Sequence, residues 1–230
     1  HAWSRALQHA ECDARLVAGV NMLHSIAANL GVALAGMTSR RGRSHTFDAR
    51  ADGYARGEAC GAVALRHGGA AAVLGVQGSA VRQDGRSASL TAPNGQAQQG
   101  VLGASLMDAR LDADEVAIVE AHGTGTAAND KTECAAVATV FGRHADDLMI
   151  SSTKAMHGHL IGGTGAVELL ACIMALRDSV VAPTIGYEEA DPECALDVVP
   201  NIAREASVSV ALSNAFAFGG LNAVIALRKF

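Results

Sequence analysis

Aromatic side chains are scarce in this chain: one Trp, two Tyr and five Phe, or 3% of 230 residues. A core of this length must then be built from Ala, Val, Leu and Ile. That suits closely packed α/β layers better than an aromatic-rich sandwich. Lysine is nearly absent, with Lys131, Lys154 and Lys229 alone, and most positive charge is Arg. The balance of 18 basic against 23 acidic residues gives a net charge of −5, so no basic surplus points to nucleic acid. Charged residues at 18% and hydrophobic ones at 50% exclude disorder. No CxxC pair occurs among Cys12, Cys60, Cys134, Cys172 and Cys194; scattered, odd-numbered cysteines predict free thiols in a reducing compartment. No basic segment followed by an apolar core opens the chain, so no signal peptide is expected. The most apolar stretch, Leu16 to Met37, is broken by Asn21, His24, Asn29 and three Gly, and reads as buried strand and loop rather than a membrane span. Glycine is what abounds, 25 residues without a G-X-Y period, which marks frequent turns.

The length suggests one large domain or one and a half average ones. The chain lacks an initial Met and opens on a helical pattern, Ala2 to His9, so it is expected to belong to something longer. Apolar runs predict strands at Leu16–Val20, Gly61–Leu65 and Ala71–Val81, the last ending at an Asp84-Gly85 turn. Met37 to Arg56 reads as a Gly/Arg/Asp-rich loop. Pro93-Asn94-Gly95 opens a helix over Gln96–Asp108. Then strand and helix alternate: strand Val116–Val119, helix Asp130–Phe141 capped by Asn129 or Asp130, strand Leu148–Ser151, helix Gly165–Leu176, and strands Ser207–Ser213 and Asn222–Leu227. Such alternation predicts a mostly parallel sheet with helices on both faces.

Reactive groups of open α/β sheets gather beyond the carboxyl ends of strands. Three segments fit: Glu120 to Thr126, Ser151 to His159, and Ser213 to Gly220. Together they bring His122, His159, Lys154 and a Phe-Gly-Gly loop toward one pocket. Each admits a plainer reading. A strand-end histidine is often structural, a lone lysine a surface charge, and Gly219-Gly220 a turn. His157 and His159 form an H-x-H pair with no evident third metal ligand. Glu168 is more telling, because a carboxylate on an apolar helix needs a partner, and Lys154 lies fourteen residues before it. Gly123-Thr124-Gly125-Thr126-Ala127-Ala128 also nearly matches the dinucleotide-binding fingerprint, although half the chain precedes it.

Taken in order, the segments resemble the β-ketoacyl synthases of fatty-acid and polyketide synthesis. The matching stretches are Thr46 to Tyr54, Arg56-Gly57-Glu58, Glu120 to Thr126, Asn129-Asp130-Lys131, Ser151 to Lys154 with Gly158-His159, and Phe218-Gly219-Gly220. They run along essentially the whole chain. The resemblance implies a thiolase-like layered αβαβα fold, here the end of a first half (1–70) followed by a complete second half (71–230). It implies decarboxylative Claisen condensation of acyl and malonyl thioesters, an acyltransferase activity of chain elongation. His122 and His159 match the histidines that hold the malonyl thioester oxygen. Lys154 and Glu168 match the ion pair that orders them. Thr124 and Thr126 match positions that bind the phosphopantetheine arm, with Gly219 and Gly220 in the same substrate-binding set. Phe218 matches a gating residue whose backbone N–H helps form an oxyanion hole. No bound cofactor is implied; phosphopantetheine comes on an acyl carrier protein partner. The resemblance also implies a homodimeric parent and a cytoplasmic or organellar setting, with no metal.

The departure is the nucleophile. The family cysteine sits in an elbow before a buried helix, a position expected a few residues before His1, and the five cysteines present read as small apolar fillers. Ala217 stands where the family has Gly, Ala59 likewise, and Leu221 replaces a polar residue. The chain alone is therefore expected to be inactive in condensation, with weak malonyl decarboxylation retained. Loss of most of the first half's sheet is expected to expose apolar surface, chiefly at Gly165–Leu176, and to favour aggregation. Two other readings stay open: a non-catalytic, chain-length-factor-like or scaffold partner, and a dinucleotide-binding domain.

Overall fold

The structure is a computed structural model that describes residues 1–68, 72 and 74–230. The elements in order are α1 (Ala2–Gln8), β1 (Ala14–Asn21), α2 (Ile26–Leu34), β2 (Ala59–Arg66), β3 (Leu74–Gln83), α3 (Gly95–Ala109), β4 (Ile118–Glu120), α4 (Ala127–Phe141), β5 (Met149–Ser151), α5 (Lys154–His157), α6 (Thr164–Asp178), β6 (Val180–Val181), β7 (Arg204–Glu205), β8 (Val210–Ala217) and β9 (Leu221–Lys229). The expected start of the third strand at Ala71, and the boundary between 70 and 71, lie outside the described residues.

Strand pleating sorts the core into two layers. Val119, Leu212, Val224 and Ala226 face one side, where they pack with Val101, Leu102 and Leu106 of α3 and Val137 of α4. Their neighbours in sequence, Ile118, Ala211, Ile225 and Leu227, face the other, against Leu169, Cys172 and Leu176 of α6. Successive side chains of a strand point to opposite faces, so short apolar runs bury both. Beyond α6 lies a second, two-stranded sheet of β1 and β2. Its Gly19 and Gly61 face Ala166 so closely that a Cβ at either would lie 3.0 and 3.3 Å from the alanine Cβ. The layers are thus α3/α4, five-stranded sheet, α6, and two-stranded sheet.

The large sheet runs β3-β9-β8-β4-β5 and is mixed rather than mostly parallel. β8, β4 and β5 are parallel, whereas β9 pairs antiparallel with both β8 and β3. The cause is the tight turn between β8 and β9, where Gly219 and Gly220 both adopt φ +80°. A short hairpin can join only antiparallel strands.

Other boundaries shift. α3 begins where expected, with the Asn94 side chain accepting from Gln96 N and Ala97 N at 3.1 and 3.2 Å. α4 starts three residues before Asp130, with Thr126 at its N-cap position, which frees the Asp130 side chain for other duties. Leu16 to Met37 is not buried: β1 alternates exposed with half-buried residues, and its C-terminal part forms the unforeseen α2, none of whose residues is buried. α2 carries the usual start signal, Ser25 accepting from Ala28 N at 3.2 Å. The cysteines divide likewise. Cys134, Cys172 and Cys194 are buried fillers, but Cys60 is exposed and Cys12 half-exposed. Among the described residues no helix is long and apolar enough to cross a membrane.

Exposed apolar surface lies mostly outside the expected Gly165–Leu176 span, where Met174 alone is an exposed large hydrophobic. α6 is covered by sheets on both sides, while Leu16 is 75%, Ile26 83% and Leu34 79% exposed. The chain should therefore bind a hydrophobic dye and self-associate through β1 and α2. Replacing Ile26 by Glu and Leu34 by Lys should lower dye fluorescence and raise the monomer fraction in size exclusion, at no more than about 0.5 kcal/mol of stability each. A dye-silent monomer before any substitution would contradict this.

Candidate active site

The parallel register aligns Glu120 with Ser151 on one side and Ser213 on the other. The segments that leave these three strand ends meet at a cavity of about 380 Å³, lined among others by Tyr54, His122, Thr124, Thr126, His159, Glu168, Phe216 and Phe218. Of the residues expected at the site, Lys154 lies beneath the cavity, and Gly219 and Gly220 do not line it. Those glycines anchor the rim: Gly219 N donates to Leu90 O at 2.8 Å, and Gly220 O accepts from Asp84 N at 2.8 Å. Phe218, 50% exposed, stands at the mouth.

The His122 and His159 rings meet edge to face, with centroids 5.5 Å apart and planes at 85°. Phe216 packs on His122 and Tyr54 on His159. Tautomers follow from the partners. Ile161 N donates to His159 Nδ1 at 3.2 Å, and Thr164 Oγ1 lies 2.9 Å from the same atom. A nitrogen that accepts a backbone N–H carries a lone pair, so the proton of the neutral ring sits on Nε2. His122 Nδ1 is buried without a partner. Burial is the main cause that lowers both histidines' pKa values, His159 to about 3, and the Lys154 ammonium adds to it. At neutral pH both rings are therefore uncharged N–H donors.

Lys154 is fully buried and pairs with Glu168, which α6 brings back to it. Burial raises Glu168 to about 8 despite that pairing, and Glu168 Oε2 has no partner. Glu120, buried at the end of β4, accepts from Thr153 N at 2.8 Å and Thr153 Oγ1 at 2.6 Å. Burial raises it to about 7.

The glycine loop after β4 is held by carboxylates of α4. Glu133 accepts from His122 N and Gly123 N, both at 2.8 Å, and from Asn214 Nδ2 at 3.0 Å. Asp130 accepts from Phe47 N at 3.0 Å and Gly125 N at 3.3 Å; burial raises it to about 7. These are the amides a dinucleotide pyrophosphate would need, and they already donate to the chain's own carboxyl groups. The dinucleotide reading fails on this ground. Thr124 Oγ1 and Thr126 Oγ1 bond one another at 2.8 Å. His157 turns away from His159, to Gly158 O at 2.7 Å and Thr153 Oγ1 at 3.1 Å.

Sequence reasoning missed Tyr54, Phe216, Thr164, Glu120 and Glu133. Tyr54 and Glu120 stand inside the quoted motifs, so a signal existed; Glu133 carried only its burial on a helix. None of the five cysteines lines the cavity.

Comparison with known proteins bears on this constellation. The family model described as "Beta-ketoacyl synthase, C-terminal domain" matches residues 73–188, and the "Beta-ketoacyl synthase, N-terminal domain" matches residues 1–71. The chain belongs to the β-ketoacyl synthase family. "Nodulation protein E" of Rhizobium meliloti is 51% identical over 140 residues, which is 61% of this chain and 35% of the relative. "3-oxoacyl-[acyl-carrier-protein] synthase 2" of Staphylococcus aureus (strain COL) is 33% identical over 241 residues, 98% of this chain and 57% of the relative. The chain thus spans about half the length of such relatives. Among solved structures, "The ishigamide ketosynthase/chain length factor" superposes with TM-score 0.91 at 33% identity, covering 99% of this chain and 56% of that one. A β-ketoacyl synthase from Burkholderia phymatum STM815 gives 0.92 at 31%, covering 100% and 58%. These neighbours are ketosynthases, and the layered thiolase-like fold is theirs.

The buried acids give the ketosynthase fold a defined pH response. Glu120, Asp130 and Glu168 have folded pKa values raised above about 4.5, so the stability they confer at low pH is lost as pH climbs through 7 to 8. The histidines are lowered from 6.5 and act oppositely, but only below that pH. Stability should therefore fall between pH 6.5 and 8, by up to about 1.4 kcal/mol per pH unit for each retained proton. Glu168→Gln cannot lose a proton and should flatten that decline in chemical denaturation. A stability that rises over this range would contradict the assignment.

Proposed function

We propose that this chain carries the malonyl-binding, decarboxylating portion of a ketosynthase site. The supporting observation is the pair of neutral imidazoles, His122 and His159, at one end of an open cavity. When a malonyl thioester loses CO2, the electrons of the breaking C–C bond move onto the thioester carbonyl and make an enolate. Two N–H donors aimed where that charge develops lower the barrier without any proton transfer. Lys154 and Glu168 order the site from beneath. Thr124 and Thr126 exchange their mutual bond for bonds to the pantetheine arm, and the Phe218 backbone N–H serves the second oxyanion at the mouth.

Condensation then follows family chemistry: the enolate carbon attacks an acyl thioester, a C–C bond forms, and a thiolate leaves. Since no cysteine of this chain lines the cavity, the acyl-bearing thiolate must come from outside the residues described. The proposed partner is acyl carrier protein with its phosphopantetheine arm, and the proposed assembly is a homodimer. One solved structure similar to this chain is titled as a polyketide acyl carrier protein in complex with its ketosynthase bound to the hexaketide; it superposes with TM-score 0.93 at 26% identity.

A second reading, a non-catalytic chain-length-factor-like partner, is kept because a ketosynthase/chain length factor is among the similar structures. Release of CO2 from a malonyl thioester separates the two. The chain should decarboxylate it measurably, and His122→Ala or His159→Ala should each slow the step by about 10² to 10³. Turnover no faster than that of His122→Ala would overturn the decarboxylase reading and favour the partner.

A further inference from the structure

A second cavity, about 350 Å³, opens beside the first and shares no lining residue with it. Its walls include Arg43, Ser44, His45, Arg56, His157 and Gly158, and no carboxylate. Arg5, Arg50, Arg177, Arg204 and Arg228 each pair with an acid. Arg43, which is exposed, and Arg56 pair with none among the described residues, as holds for several other arginines of the chain; what sets these two apart is that both line one cavity. Arg56 is half-buried and its Nε is shielded from water without a hydrogen-bond partner. His45 is only 7% exposed and its Nδ1 is likewise unpartnered. The Ser44 hydroxyl accepts from Ala55 N at 2.9 Å, which leaves its own proton free to donate.

A buried nitrogen left without a partner is costly, as at Arg56 Nε and His45 Nδ1, whereas the exposed Arg43 is hydrated and free to turn to an anion. Two guanidinium groups, an imidazole and a hydroxyl lining one cavity without a carboxylate match a compact, multiply charged oxyanion. We propose that this cavity is a phosphate-binding site. Its ligand is a phosphate dianion, free or as the phosphate group of a larger molecule. The cavity is open enough for either. Binding there would touch the same chain segment that fixes His159, since His159 N donates to Ala55 O at 2.7 Å and Gly57 N donates to His159 O at 3.2 Å.

The test is isothermal titration of the full chain at constant ionic strength, once with inorganic phosphate and once with glycerol 3-phosphate. Saturable one-to-one binding of inorganic phosphate is expected. Comparable binding of glycerol 3-phosphate would identify the phosphate group of a larger molecule as a ligand; its absence would restrict the site to the free anion. Arg56→Met and Arg43→Gln should each weaken binding by about tenfold or more. Ala155→Asp adds a carboxylate to the wall while keeping both arginines, and should abolish binding in a chain whose circular dichroism is unchanged. His122→Ala, in the other cavity, should leave it intact. No saturable binding of inorganic phosphate, or equal affinity in Arg43→Gln and Ala155→Asp, would overturn the proposal. Neither result depends on whether the chain decarboxylates malonyl thioesters.

Discussion

One ammonium group organises the reaction cavity. Lys154 is wholly buried, paired with Glu168, and its charge acts on Glu120, His122, His157 and His159. It is placed by backbone, not by chance: β5 ends at Ser151, Thr153 bonds Glu120, and α5 begins on the lysine itself. An unpaired ammonium at that depth would be untenable. The Glu168 carboxyl accepts from it, and burial raises Glu168 to about 8 and Glu120 to about 7. Burial first, and the nearby lysine second, keep either histidine from taking up a proton readily. Burial and that neighbouring group together set the rings as neutral donors.

Around this centre, carboxylates act as backbone clamps. Glu133 grips two successive amides after β4 and an amide side chain on β8, tying two strand ends into one piece. Asp130 ties the loop at Phe47 to the glycine loop. A Gly-rich turn that in another fold would cradle phosphate here donates its amides to the chain's own carboxyl groups. The phosphate-like chemistry moves instead to the neighbouring cavity, where the arginines have no acids. Sequence pattern alone cannot separate these outcomes, since both need small residues at the same spacing.

Much of the site was legible because strand ends are where chemistry collects, and because His122, Lys154, His159 and Glu168 sit at spacings that a strand, a turn and a helix bring together. The Lys154–Glu168 pairing was inferable from cost alone: a carboxylate on an apolar helix demanded a cation, and lysines are few. What escaped was the result of competition between local signals and tertiary context. α2 was hidden because its apolar face has no core to pack on. The antiparallel β9 was hidden because Gly219-Gly220 serves a hairpin as well as a loop. The duty of Asp130 was masked by its resemblance to a helix cap, whereas the helix begins earlier and leaves its carboxylate to the Phe47 and Gly125 amides.

The account turns on the protonation of His159. Nitrogen-15 NMR of the imidazoles across a pH series measures it directly. The structure predicts a neutral His159 with its proton on Nε2 at pH 7, remaining neutral well below the usual histidine range of about 6.5. An imidazolium at neutral pH, or a proton on Nδ1, would contradict the arrangement of donors on which the proposed function depends.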